Sequence, residues 1–252
     1  MGVLQDRVAL VTGSSRGIGA AIATLFAREG ARVAVHGRDE EALGAVRAAI
    51  EREGGAAMTV TGDVTKLSDV EALRARIEAG LGPVDILIAN AGASLTKPGL
   101  LEEISEEGWR ASVEANLTAT FLTLKSFLPG MKQRRRGSIV TVSSAAARRP
   151  HPHSPIPYAA AKAGIQMLTQ HAAAQVGPFG IRINCLAPET ILTERNNEQI
   201  PEAQKAALVE THPIKRLGTP DDVARAALFL ASDQSAWITG AIIDVSGGAV
   251  MV

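Results

Sequence analysis

The sequence predicts a single α/β domain built on a doubly wound parallel sheet of about seven strands, with helices on both faces. Three observations predict it. Short β-rich runs alternate with longer helical patterns from one end of the chain to the other. Several of those runs are apolar at consecutive positions, as strands covered on both faces must be. No linker-like or low-complexity stretch interrupts the alternation, so residues 1–252 read as one unit.

The elements follow in order. The first strand, "RVALVT", runs directly into "TGSSRGIG" and then into the apolar helix "AAIATLFAREG". "ARVAVHG", "AMTVTG" and "VDILIAN" supply strands two to four, and "GSIVTVSS", "IRINCLA" and "AIIDVSG" supply strands five to seven. The clearest helix is "TPDDVARAALFLAS": Thr219 is placed to cap it, Pro220 stands at its first position, and two aspartates follow where the helix dipole favours anions. Residues 190–215 break the rhythm with a long polar insertion between the sixth strand and the last helix. That length suits a lid over a site better than a plain connection.

Composition excludes several classes. The 26 basic residues balance 26 acidic ones, so no broad charge draws the chain to nucleic acid or to an anionic membrane. "KQRRRG", the richest basic run, reads as a solvated loop before a strand. No segment has 18 uncharged apolar residues, and the N-terminus lacks a basic region followed by an apolar core, so a cytoplasmic location is expected. The single cysteine, Cys185, cannot form an internal disulfide and reads as a buried structural thiol.

Chemistry first appears in the glycine turn. Gly13, Gly17 and Gly19 bracket Ser15, Arg16 and Ile18 between a strand and a helix. Glycines there let the backbone approach a pyrophosphate, and the helix N-terminus offers unpaired N–H donors, so the turn is expected to bind a dinucleotide. The end of the second strand should report which one. Gly37 stands where an acid would accept from ribose hydroxyls, and Arg38 follows, able to hold a phosphate; with Arg16 it points to NADPH. Asp39, 20 residues beyond Gly19, keeps NAD open but also suits the cap of the next helix.

The second feature is "YAAAK", which contains the chain's one tyrosine. Residues i and i+4 share a helix face, so the ammonium of Lys162 is expected to lie near the phenol of Tyr158 and lower its pKa toward neutrality. The spacing alone fits an ordinary solvated pair equally well.

With "TGSSRGIG", "GDV", "NAG", a strand ending in "SS" and "YAAAK" in this order, the chain resembles the classical short-chain dehydrogenase/reductases, whose fold is Rossmann-type, over nearly all of residues 6–248. The resemblance implies that Tyr158 is the catalytic acid/base, that Lys162 lowers its pKa and holds the nicotinamide ribose, and that Ser144 rather than Ser143 orients the substrate carbonyl. It implies that Asn116 opens its helix so that the backbone carbonyl joins a proton relay. It places Asp63 and Val64 near adenine, and Asn90, Ala91 and Gly92 in the loop after strand four. Pro188, Ile191 and Thr193 fall at the nicotinamide end. By the same resemblance the partner is a small-molecule carbonyl substrate and the assembly a homotetramer, with residues 109–130 and 155–177 packing between subunits.

Two departures stand out. Glu189 follows Pro188 where the family usually has glycine, and its carboxylate is expected to pair with a lid cation such as Arg195 rather than to face the cofactor. The run "AAARRPHPHSPIP" puts four prolines and two histidines in the substrate-facing loop 148–157. With no cysteine or carboxylate near them in sequence, His151 and His153 read as substrate-contacting or solvated, and no metal is expected. The function expected is an NADPH-dependent ketone or 3-oxoacyl reductase. The alternatives are an NAD-dependent alcohol or sugar dehydrogenase and a non-catalytic nucleotide-sensing regulator of the same fold.

Overall fold

Consecutive apolar residues make strands that can be buried on both faces, and Val8–Val11 (β1) shows how. Val8 and Leu10 point into one core while Ala9 and Val11 point into the other. The computed structural model describes residues 2–151 and 153–251. Its remaining strands are Arg32–Gly37 (β2), Ala56–Thr61 (β3), Ile86–Ala89 (β4), Gly137–Val142 (β5), Ile181–Pro188 (β6) and Ile242–Val245 (β7). All pair in parallel in the order β3-β2-β1-β4-β5-β6-β7. This is the expected seven-stranded Rossmann-type sheet, and its order reverses between β1 and β4, where a crevice opens at the carboxyl ends of the strands.

On one face, Gly17–Arg28 (α1) packs against Pro220–Ala231 (α9), with Glu40–Arg52 (α2) beside them. Leu67–Gly80 (α3), Ala119–Arg134 (α5) and Ile156–Val176 (α6) cover the other face. The caps are those the residue types favour. Thr219 and Asp222 close a reciprocal box at the start of α9, and Asp39 accepts from Ala42 N at the start of α2. Cys185 is fully buried in β6, and burial pushes its thiol pKa up.

The insertion after β6 folds into two short helices, Glu194–Gln199 (α7) and Glu202–Thr211 (α8). Its ends are clasped: Leu192 N donates to Gly218 O at 2.8 Å and Gly218 N donates to Thr190 O at 3.1 Å. Glu106–Val113 (α4) runs into α5 through one wider π-helical turn, Glu114–Thr118. Met1, Val252 and Pro152, one of the four prolines of loop 148–157, lie outside the described residues.

Candidate active site

The glycine turn is built on contacts that leave no room for side chains. Gly17, the first residue of α1, has φ +56°, and a Cβ on Gly19 would stand 2.2 Å from Gly13 O and 2.7 Å from Asn90 Nδ2. Arg16 at the N-cap of α1 makes no side-chain cap, so the first N–H groups of the helix face the cleft with glycine in front of them. Such a cradle fits a pyrophosphate.

Two residues that sequence reasoning missed hold this turn in place. His36 Nδ1 accepts from Gly13 N at 3.3 Å and its Nε2 donates to Gly62 O at 3.1 Å, so the ring is neutral with its proton on Nε2; burial lowers its pKa. Thr12 Oγ1 accepts from the backbone of both Asn90 and Ala91 at 3.0 Å, while Asn90 Nδ2 returns bonds to Thr12 O and Gly13 O. The loops after β1 and β4 are thereby joined. A strand histidine and a strand-end threonine carry no signal beyond β propensity, so only the fold reveals them.

At the end of β2, Arg38 is exposed. Arg16 pairs with Asp39 Oδ2 while Asp39 Oδ1 caps α2, so both oxygens of this acid are engaged. Asp63 accepts from the N–H and hydroxyl of Thr65, and those bonds, with smaller help from Lys66 and Arg38, hold its pKa low. Val64 is buried in the core. Ser15, Arg38, Asp63 and Val64 lie on this side, outside the wall of the main cleft.

That cleft, of about 570 Å³, runs from Gly13, Arg16 and Gly17 to Ser144, Tyr158 and Lys162. Ile18, Asn90, Gly92, Pro188, Ile191 and Thr193 also line it. Lys162 is 4% exposed, donates from Nζ to Val142 O at 2.8 Å, and has its pKa lowered by burial to about 8. Its ammonium stands over the Tyr158 ring, 5.6 Å from the centroid. Burial raises the phenol pKa, and the hydroxyl of Ser144 draws it back only in part. The lowering expected from the Tyr158–Lys162 spacing is therefore not found. The ammonium lies over the ring and donates to Val142 O, and burial of the phenol outweighs any lowering.

Ser144 Oγ accepts from Ala146 N at 3.2 Å, which leaves its own proton free for Tyr158. Ser143 instead donates to Lys162 O and accepts from Gln166 Nε2, both within α6. Asn116 is completely buried at the π turn; its side chain donates to Ala93 O and Ser112 O and accepts from Ala93 N. Its backbone carbonyl accepts from Thr120 Oγ1 at 2.8 Å. A Cβ on Gly92 would meet Asn116 Oδ1 at 2.5 Å and Lys162 Nζ at 3.2 Å, so the loop after β4, the π-helical turn and α6 converge on this glycine.

The expected partner of Glu189 is not the one observed. Arg195 is exposed and donates to Gln199, whereas Glu189 Oε1 lies 3.8 Å from His151 Nε2 and 3.1 Å from Thr190 Oγ1. Glu189 N bonds to Val245 O, extending the β6–β7 pairing one residue past Pro188 and holding the side chain toward the histidine loop. A carboxylate thus does stand near His151, although no group of three metal-ligating side chains occurs among the described residues.

The comparisons with known proteins agree with this geometry. A family model described as enoyl-(acyl carrier protein) reductase matches residues 13–250. The chain is 38% identical to the 3-oxoacyl-[acyl-carrier-protein] reductase FabG of Chlamydia muridarum, over 98% of each chain. It is 39% identical to 3beta-hydroxysteroid dehydrogenase 1 of Eggerthella lenta, over 97% of this chain and 94% of that one. The crystal structure of a 3-oxoacyl-[acyl-carrier protein] reductase with bound NAD from Brucella melitensis superposes with a TM-score of 0.91 at 35% identity, covering 100% of this chain and 94% of that one. Fold, glycine cradle and matched length lead to one assignment: the chain belongs to the short-chain dehydrogenase/reductase family of oxidoreductases.

Proposed function

We propose that the protein is an NADPH-preferring reductase of ketones or 3-oxoacyl groups, with Tyr158, Ser144, Lys162 and Asn116 as its catalytic set. One observation carries this reading: the half-buried phenol of Tyr158 and the hydroxyl of Ser144 stand in the same cleft as the glycine cradle. Hydride arriving at a carbonyl carbon leaves negative charge on oxygen. The Ser144 hydroxyl stabilises that charge as a hydrogen-bond donor, and Tyr158 protonates it as general acid. Reduced nicotinamide supplies the hydride when bound.

The residues that would hold the cofactor are Gly13, Ser15, Gly17, Ile18 and Gly19 at the pyrophosphate, Arg38, Asp63 and Val64 at the adenosine end, and the loop Asn90–Gly92 between them. Lys162, Pro188, Ile191 and Thr193 would hold the nicotinamide end. Neutralisation of Asp39 by Arg16 leaves Arg38 as the exposed charge beside Asp63, which supports a 2′-phosphate over free ribose hydroxyls. The Asp39 carboxylate itself, at the end of β2, favours the second reading, an NAD-dependent alcohol or sugar dehydrogenase. In either reading the clasped segment of α7 and α8 is the substrate lid. Exposed Trp109 and Phe121, on α4 and α5, and Met167 on α6 support burial against further copies in a homotetramer.

The test follows the near-ultraviolet absorbance of reduced nicotinamide across a panel of ketones, with NADPH and NADH in turn, for wild type and Tyr158→Phe. Turnover that is faster with NADPH and lost in the variant is the expected result. Turnover that survives the variant would remove the tyrosine from its role.

A further inference from the structure

Both departures from the family pattern reach the cleft, and the structure pairs Glu189 with a residue of the other, the histidine loop. The Glu189 side chain is 9% exposed and that of His151 is 22% exposed, yet both line the same cleft as Ser144 and Tyr158. The geometry fixes the polarity of the pair. His151 Nδ1 accepts from His153 N at 3.3 Å, so the ring proton sits on Nε2, which faces Glu189 Oε1. The two atoms are 3.8 Å apart, too far for a direct hydrogen bond. One oxygen atom set to the side of the line joining them reaches both at hydrogen-bond distance.

Such an oxygen must accept from Nε2–H and donate to the carboxylate at once. A hydroxyl does both; a carbonyl or ether oxygen cannot donate, and an ammonium cannot accept. Ser94, His153, Ser154 and Asn196 also line the cleft and offer further hydrogen bonds, alongside apolar Val142, Pro155 and Ile191. We propose that Glu189 and His151 recognise a hydroxyl group on the substrate, so that the protein acts on hydroxylated ketones and the corresponding polyols in preference to plain ketones. The inference rests on the carbonyl-reductase reading above and names the substrate class of that same site.

The experiment compares 2-hydroxycyclohexanone with cyclohexanone, each with NADPH and with NADH, and reads the ratio of their kcat/KM values in wild type, Glu189→Gln and His151→Ala. A hydrogen bond to a charged group that is lost on substitution lowers the ratio about 10- to 100-fold, chiefly through a higher KM for the hydroxylated ketone. The substituted residues lie on different segments, so a local packing defect in one would not reproduce the same loss of discrimination in the other; a thermal melt and an NADPH titration of each variant verify the fold. A ratio that moves less than about threefold in both variants overturns the assignment while leaving the reductase reading intact. Turnover of other ketones of the panel but of neither of these overturns this inference alone, and failure of wild type to turn over any ketone of the panel with either nucleotide overturns the reductase reading and this inference with it.

Discussion

Replacing Lys162 by methionine should make the nucleotide-free protein more stable at neutral pH while abolishing its activity. The lysine carries its charge at 4% exposure with one carbonyl, Val142 O, as its recorded hydrogen-bond acceptor. Burial takes its pKa from 10.5 to about 8, and at 1.36 kcal/mol per tenfold change in proton affinity this corresponds to about 3 kcal/mol of destabilisation while both states are protonated. Methionine keeps the unbranched stem and removes the charge, but it strands Val142 O at a cost of about 1–2 kcal/mol. The variant should therefore gain about 1–2 kcal/mol near pH 7.

The pH dependence isolates the cause. Below about pH 8 folded and unfolded chains both hold the proton, and wild type carries the full penalty. Between about 8 and 10.5 only the unfolded chain holds it, so wild-type stability rises with pH. From about pH 7 to about pH 9.5 wild type should gain about 2 kcal/mol on the variant, which at a urea slope of about 3 kcal/mol/M moves the midpoints together by about 0.7 M. Urea melts of both proteins at the two pH values measure this. A gap that stays constant across that range would mean that the ammonium is solvated in the folded chain, and the argument from burial would fall.

Three other substitutions test the remaining parts. Tyr158→Phe should lower kcat by about 100-fold or more, with NADPH affinity, read by titration, nearly unchanged; a variant keeping more than about a tenth of wild-type turnover would contradict general acid catalysis by this phenol. Arg38→Asp should move the ratio of catalytic efficiencies from NADPH toward NADH by about tenfold or more, and an unmoved ratio would place the phosphate contact elsewhere. His36 is held neutral by burial, so its folded pKa lies below the ordinary 6.5; its contribution to stability is complete above that value and is lost as pH falls through it toward the folded one. Wild type should therefore lose more stability between about pH 7.5 and about pH 5.5 than His36→Asn, measured by chemical denaturation, and equal losses would show that the imidazole titrates freely.

Much of the fold was legible because parallel strands announce themselves. Ala9 and Val11 on one face and Val8 and Leu10 on the other produce an apolar run that few other elements would tolerate. The cap of α9 was equally plain, since Thr219, Pro220 and Asp222 act within one turn. What escaped depends on chain segments meeting in space. Glu189 and His151 are far apart in sequence and come together only because β6 and the loop after β5 end side by side. The pairing of Arg16 with Asp39 neutralises an acid that, read along the chain, still competes for a ribose. The Tyr158–Lys162 spacing placed the two side chains on one helix face as expected, but spacing says nothing of where an ammonium turns. Val142 O, on a neighbouring strand, took the charge.

The clasp between residues 190–192 and Gly218 has a consequence for how this scaffold can change. Two backbone hydrogen bonds hold the ends of the α7–α8 segment together, and a Cβ on Gly218 would collide with Ile191 Cδ1 at 2.4 Å, so the junction is tight. Loop-closure entropy grows only slowly with length, so segments of different size can span the same junction at little added cost. The stretch from Asn197 to Glu210, between the residues that tie the segment to the cleft and to the sheet, is in this sense a cassette. It can be lengthened, shortened or exchanged to remodel the mouth of the cleft while the register of β6 with β7, and with it the positions of Pro188 and Glu189, stays where the sheet sets it.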